Sequence, residues 1–201
     1  MSIASTTPTA RRPPFPVRRF TIDEYHRLIE TDVLGEDDRV ELLEGWIAPK
    51  MTHSPMHDAV VDLVDEALRR LLPRGWRTRV QSAATTATSE PEPDVAVVRG
   101  AARDYLTKHP GPQDTGLVIE VADSSLRLDR TTKLRIYAAA MMPEYWIVNL
   151  PDRQIEVFRN PTLLKGQPAF ADQVVFRAGD SIPLLLGGST FGEVLADDLL
   201  P

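Results

Sequence analysis

Asp94 and Glu120 are the residues in this chain best placed to do chemistry. Asp94 stands at the mouth of an apolar run, Val95-Ala96-Val97-Val98, and Glu120 near the end of another, Leu117-Val118-Ile119-Glu120-Val121. A carboxylate in such a strand is costly unless a cation or hydrogen-bond donors compensate it. Two of them on consecutive strands, about 25 residues apart, suggest convergence on a shared cation. The alternative is that each is satisfied separately, by an arginine or by backbone groups. Hard carboxylate oxygens in a chain without cysteine favour magnesium, with manganese able to substitute, over zinc. An ion held this way can polarise a phosphate and acidify a water, the chemistry of phosphodiester cleavage.

Further side chains are candidates for the same centre. Lys133 shares a helical face with Ile136, Tyr137 and Ala140, the face that should pack on a sheet. From there it could orient a water and stabilise charge developing on a phosphate. It could equally pair along its own helix with Asp129, four residues earlier. Glu41 alternates with Val40 and Leu42, and so could complete a metal shell or hold a second ion. Glu44, beside Gly45, is expected to face solvent. His57 opens a helix, where it could meet a phosphate or a metal-bound water, or serve as a surface or capping residue. His26, His53 and His109 make no ligand-like spacing with it. The chain has no HExxH, phosphate-binding glycine loop or nucleophile elbow.

The elements that must position these groups follow from periodicity and punctuation. Thr21 and Glu24 form a capping box for a helix of about 22–31. Runs at 39–43 and 46–51 around Glu44-Gly45 predict a hairpin. Val60, Val61, Val64, Leu68, Leu71 and Leu72 recur at helical spacing, which predicts a helix over about 56–72. Strands are expected at 77–82, from Asp94 to Val98 and at 117–121, the last buried on both faces. Residues 83–92 read as a loop or edge strand, and 101–108 as a possible short helix. A helix of about 127–141 is followed by strands at 144–149 and 154–159. The remainder is turn-rich, with strand-like pieces at 173–177 and 182–186 and a closing helix near 191–198. Alternating helices and strands predict an α/β domain over 18–201 behind a flexible, proline-rich, basic leader at 1–17.

Composition narrows the function classes. The 201 residues suit one domain of ordinary size. The absence of cysteine removes disulfides, thiolate zinc sites and cysteine nucleophiles, and fits a cytoplasmic location. No run reaches the ~18–20 apolar residues of a membrane helix, and no secretory core opens the chain, so no membrane partner is expected. A net charge of −6 argues against strong nonspecific nucleic-acid binding, yet cation-binding acids themselves add negative charge. Basic residues gather at Arg11, Arg12, Arg18 and Arg19, at Arg69, Arg70, Arg74, Arg77 and Arg79, and at Arg127, Arg130, Lys133 and Arg135. Solvated helix faces and a mobile tail account for such groups as well as a nucleic-acid surface does.

Five segments in order carry a resemblance: VELLEG, SPMH before a helix, PEPDVAVV, LVIEVADSS, and DRTTKLRIYAAAMMPEYWIV. Together they resemble the Uma-two family of restriction endonucleases, within the PD-(D/E)XK nuclease superfamily, over roughly residues 18–198. The resemblance implies a restriction-endonuclease-like fold, a mixed central sheet flanked by helices. It implies Asp94 as the acid of the PD half-motif, Glu120 as the acid of the (D/E)XK half and Glu41 as the additional acid. The lysine expected two residues after Glu120 is replaced by Ala122, and Lys133 on the following helix matches its displaced counterpart. The implied activity is magnesium-dependent hydrolysis of DNA phosphodiesters, with Asp94, Glu120, the Val121 carbonyl and Glu41 at the metal and Lys133 at the water; superfamily enzymes that cut both strands often act as dimers, so a homodimer is one form open to this chain. Two other functions remain open: a nuclease-fold binding or regulatory module without catalysis, and a hydrolase of small phosphate esters.

Overall fold

The structure, a computed structural model, describes residues 15–35 and 37–201. The expected leader falls mainly on residues 1–14, outside the described residues. Helix α1 (Ile22–Glu30) opens with the reciprocal Thr21–Glu24 capping box, and β1 (Val40–Leu43) and β2 (Trp46–Pro49) form an antiparallel hairpin. The segment before α1 docks on that hairpin: Phe20 N–H donates to the Gly45 carbonyl at 2.8 Å, and Arg19 lies over Trp46. Gly45 has φ +80°, and a Cβ there would sit 2.6 Å from Arg19 Cβ, so this turn needs glycine on both counts.

Helix α2 (Pro55–Leu71) starts on a Ser54 cap with proline at its first position. Strands β3 (Trp76–Val80), β4 (Val95–Arg99) and β5 (Thr115–Ala122) follow, with a short helical turn at Ala102–Tyr105. After β5 one helical segment runs through α3 (Leu126–Leu128), a π-helical turn (Asp129–Lys133) and α4 (Leu134–Ala139). Strands β6 (Glu144–Asn149), β7 (Gln154–Leu164) and β8 (Gln167–Phe176) complete a six-stranded sheet in the order β3-β4-β5-β6-β7-β8. It is antiparallel except for the parallel pair β5–β6. Strands β9 (Ser181–Leu186) and β10 (Ser189–Leu195) form a separate hairpin. This is a mixed central sheet flanked by helices, the expected α/β class. No described helix is long and apolar enough to cross a membrane.

Strand parity divides the core. Val95, Val97, Leu117, Ile119, Val121, Trp146 and Val148 face α2 and the β9–β10 hairpin. Val118, Ala122, Tyr145 and Ile147 face the opposite way, against Ile136, Tyr137 and Met142 of the α4 region. Strand β5, third of six, is buried along its whole length.

Two expectations about the C-terminal third are corrected. The segment at 154–159 is the start of a strand reaching Leu164, paired through a long hairpin with β8. Pro161 is tolerated because β6 stops pairing at Arg159, so no neighbour on that side needs its missing N–H. The closing helix near 191–198 is instead mostly β10, with a helical turn only at Ala196–Asp198. A bulge in the β9–β10 pairing between Thr190 and Glu193, where Gly192 has φ +121°, obscures the alternation in the sequence.

Gly116 shows how tightly the sheet is covered. It is the extra residue of a bulge, since Val97 pairs with Leu117 and Val98 with Thr115. A Cβ there would lie 2.6 Å from Trp76 Cζ3 and 2.8 Å from Leu186 Cδ2. Gly116→Ala is expected to cost ~1–3 kcal/mol by overpacking. Urea denaturation would register it as a lower midpoint at unchanged m, whereas a wild-type midpoint would mean that Trp76 yields freely.

Candidate active site

The register of β4 on β5 builds the site. Val95 pairs with Ile119, and Ala96 with Val118. Asp94 precedes β4 at a bend, and its side chain is tied to β5 through the Val121 N–H. Glu120 shares the parity of Val118 and Ala122, so it points toward the helix that carries Lys133 and Tyr137. Val121 N–H donates to Asp94 Oδ2 at 2.8 Å, and its carbonyl points to the same side of β5 as that N–H.

The π-helical turn delivers the cation. Lys133 Nζ lies 3.0 Å from Glu120 Oε1 and 3.7 Å from Glu41 Oε2. One turn on, Tyr137 O–H donates to the same Glu120 oxygen at 2.6 Å. Glu41, on β1, takes the Glu92 N–H on Oε2 at 3.1 Å. His57 Nε2 stands 3.2 Å from Asp94 Oδ2. Each acid is thus gripped by protein donors through one oxygen. Asp94 Oδ1, Glu120 Oε2 and Glu41 Oε1 accept no protein hydrogen bond among the described residues. All four candidates line one cleft of about 390 Å³ together with His57 and Asp129.

Acids outnumber bases in this cleft, and their pKa values respond. Burial pushes the Glu120 carboxyl well above its ordinary value, against the pull of Lys133 and with a further push from Asp94. Burial alone would lower Lys133, but Glu120, Glu41 and Asp129 outweigh it and hold the ammonium charged. His57 is pulled down by burial and raised on balance by its hydrogen bond to, and the charge of, Asp94, with Asp58 adding to it. Asp129 rises from 3.8 to about 6, chiefly through burial. Its Oδ2 accepts from Ser125 at 2.6 Å, while Oδ1 is buried with no partner.

These features fit a hard divalent cation. The charge of Asp94 opposes that of Glu120, the buried Oδ1 of Asp129 lacks a donor, and each gripped carboxylate keeps one bare oxygen. The side chains do not close into a compact threefold chelate: among the described residues, the group of three His, Asp or Glu ligand atoms within 4.8 Å of one another is His53, His57 and Asp58. A cation at Asp94 and Glu120 would therefore take the Val121 carbonyl and water as further ligands, with Glu41 reached through water.

Asp129 gives a direct test of the charge imbalance. A pKa raised on folding contributes stability below the unfolded value near 3.8 and loses it as pH rises through about 6. Asparagine at 129 escapes that loss. With divalent ions chelated, the stability of Asp129→Asn relative to wild type is expected to improve by ~3 kcal/mol between pH 4 and pH 8. Parallel urea-denaturation profiles would contradict this.

A profile of the Uma2 family, described as "Putative restriction endonuclease", matches residues 22–189. The chain belongs to the Uma2 family. No curated protein matches it. A solved structure of "a putative nuclease belonging to DUF820 from Anabaena variabilis" superposes with a TM-score of 0.66, covering 90% of this chain and 97% of that one at 15% identity. At that identity the likeness speaks for the fold alone.

In this Uma2 chain the sequence-selected residues Glu41, Asp94, Glu120 and Lys133 meet in one cleft, and Val121 adds its backbone there. The intrahelical alternative for Lys133 is not what the structure has, because Lys133 pairs with Glu120 and Glu41 while Asp129 bonds Ser125. Three expectations need correction. His57 is not a surface residue: it is 6% exposed, and the helix cap is Ser54, whose hydroxyl accepts the His57 N–H. His53 is not remote from it, since their rings stack with centroids 4.2 Å apart. The signal was the four-residue spacing of His53 and His57 across Ser54-Pro55-Met56. Glu44 is not free in solvent but is held by Arg135 Nε and Nη2 at 2.7 and 2.8 Å. Tyr137 was legible only as a core residue, and nothing in the sequence marks its hydroxyl for Glu120. Much of the basic third cluster is spent internally: Arg130 grips buried Glu156, and Arg135 grips Glu44.

Proposed function

We propose that this protein is a metal-dependent endonuclease that hydrolyses phosphodiester bonds in DNA. The observation that carries the reading is the pair Asp94 and Glu120 in one cleft, each held through one oxygen and keeping a second that accepts no protein hydrogen bond among the described residues, with the Val121 backbone tied to Asp94. Membership of a family described as restriction endonucleases supports it, and so does the fold shared with a protein titled a nuclease. Asp94, Glu120 and the Val121 carbonyl would hold magnesium, or manganese in its place, with Glu41 at one remove. When bound, the cation supplies a Lewis acid at the scissile phosphate and lowers the pKa of a water.

The chain's own residues do the rest. Tyr137 and Lys133 fix one oxygen of Glu120, and Val121 N–H and His57 fix one of Asp94, so the opposite oxygens are presented without rotamer freedom. Lys133 sets the position of the attacking water and offsets the negative charge that grows on the phosphate in the transition state. The acidic lining of the cleft asks for a metal ion to offset the charge of a phosphate entering it, which fits the net charge of −6.

The test is cleavage of closed-circular, linear and single-stranded DNA with magnesium or manganese. Cutting of circles identifies an endonuclease. Chelation is expected to stop it. Absence of cleavage together with absence of manganese binding by calorimetry would instead favour a catalytically silent nuclease-fold module.

A further inference from the structure

A second set of ligating groups lies at the start of α2, on the far side of His57 from Asp94. The rings of His53 and His57 stack at 4.2 Å with 24° between their planes. Asp58 Oδ1 is 3.3 Å from His57 Nδ1 and 3.4 Å from His53 Nδ1. Both imidazoles thus turn the same nitrogen to one carboxylate oxygen. The orientation of the two rings is fixed from outside the cluster. His57 Nε2 faces Asp94 Oδ2, an oxygen that already accepts the Val121 N–H, so the proton of this contact sits on Nε2. Gln81 Nε2 approaches His53 Nδ1 at 3.1 Å, which marks a lone pair on that nitrogen. Metal-binding histidines characteristically donate their second ring N–H to a carboxylate, which fixes the tautomer and aims the other nitrogen at the ion. His57 has this arrangement toward Asp94.

We infer that His53, His57 and Asp58 form a second cation site, distinct from the Asp94–Glu120 centre and selective for a borderline divalent ion of the zinc class. Two imidazole nitrogens and one carboxylate oxygen match that class, whereas Asp94 and Glu120 offer oxygen alone. Both His57 nitrogens face carboxylates, Nε2 toward Asp94 and Nδ1 toward Asp58, and an ion would sit at the Nδ1 side. Asp58 is 61% exposed, so the site opens to solution and exchanges its ion freely. The Gln81 amide gives way as the ion enters, and water fills the fourth position. Asp62, one turn along α2, and Arg39 line the same depression. Occupation locks His57 as an Nε2–H donor and so holds Asp94 in one rotamer. The site stands on its own geometry and does not depend on the nuclease reading.

The experiment uses the untagged full chain, stripped with a chelator, and reads binding rather than cleavage. Zinc is titrated by calorimetry into wild type, His53→Ala, Asp58→Asn and Glu120→Gln. Copper(II) at one equivalent is read by electron paramagnetic resonance. Expected are a loss of zinc affinity of ~10–100-fold in His53→Ala and Asp58→Asn, affinity within about twofold of wild type in Glu120→Gln, and nitrogen splitting from two imidazoles that falls to one in His53→Ala. Zinc affinity unchanged in His53→Ala, or lost in Glu120→Gln, or a copper signal without nitrogen splitting, overturns the inference. His53 and Asp58 are partly exposed, so both variants are expected to keep the fold, which thermal unfolding checks.

Discussion

Asp94→Asn is expected to abolish magnesium-dependent cleavage, by at least ~10³-fold in kcat/KM, or about 4 kcal/mol of transition-state stabilisation. The size follows from how many contacts one side chain serves. Asp94 Oδ2 accepts both the Val121 N–H and His57 Nε2, and Oδ1 is left bare toward the cleft. Asparagine keeps the shape but removes the charge. If its oxygen stays on the two donors, its NH2 group faces the cation position, where a donor cannot ligate. If the amide flips to offer oxygen there, its NH2 meets the Val121 N–H and the His57 N–H, and two donors are left unsatisfied. Either way the site loses a hard anionic ligand. Manganese binding by calorimetry should weaken in step with activity. Folding stability should change much less, because the variant also removes a charge that opposes that of Glu120. Cleavage by Asp94→Asn at the wild-type rate, with magnesium still required, would remove Asp94 from the centre and take the proposed mechanism with it.

The two acids were legible because strand chemistry is local. An Asp or Glu interrupting an apolar strand is visible in any single sequence, and the two-residue period of a strand then fixes which face it occupies. The tie between Asp94 and β5 was not legible in the same way, because the Val121 N–H that reaches it lies 27 residues further along the chain. What escaped depended on longer-range geometry. Lys133 was identified on an assumed regular helix, where its nearest acid is Asp129. The π-helical turn at Asp129–Lys133 re-aims both side chains, and no short-range pattern announces it. Tyr145 O–H donates to the Asp129 carbonyl at 3.3 Å, a contact from β6 that sequence proximity cannot supply. His53 precedes the Ser54 cap and lies off the helix, so its four-residue spacing from His57 becomes a contact only through the turn that leads into the cap. The long β7–β8 hairpin was read short because Asn160-Pro161 looks like a turn, and only the absence of a neighbouring strand beyond Arg159 makes it acceptable as strand.

Lys133→Met should produce the largest loss of stability among variants of the cleft, ~3–5 kcal/mol at pH 8. Lys133 is 7% exposed and bridges Glu120 to Glu41. Methionine matches the length of the stem but leaves those acids, with Asp129 behind them, facing one another without a counter-ion. Glu120 then has only the Tyr137 hydroxyl. Its pKa, already raised by burial, moves further up, so the penalty must shrink as pH falls and Glu120 takes a proton. The double variant Glu120→Gln, Lys133→Met separates the two roles of the lysine. Removing the acid along with the base restores much of the stability, and the coupling between the sites should reach ~2–3 kcal/mol in a double-mutant cycle. Activity should not return, because the double variant has lost both a proposed metal ligand and the group proposed to hold the water. Chemical denaturation of the four proteins at pH 5 and pH 8, in chelator, reads the stability cycle. Additive losses at both pH values would mean that Lys133 and Glu120 act independently, and that the π-helical turn serves packing rather than the delivery of a charge.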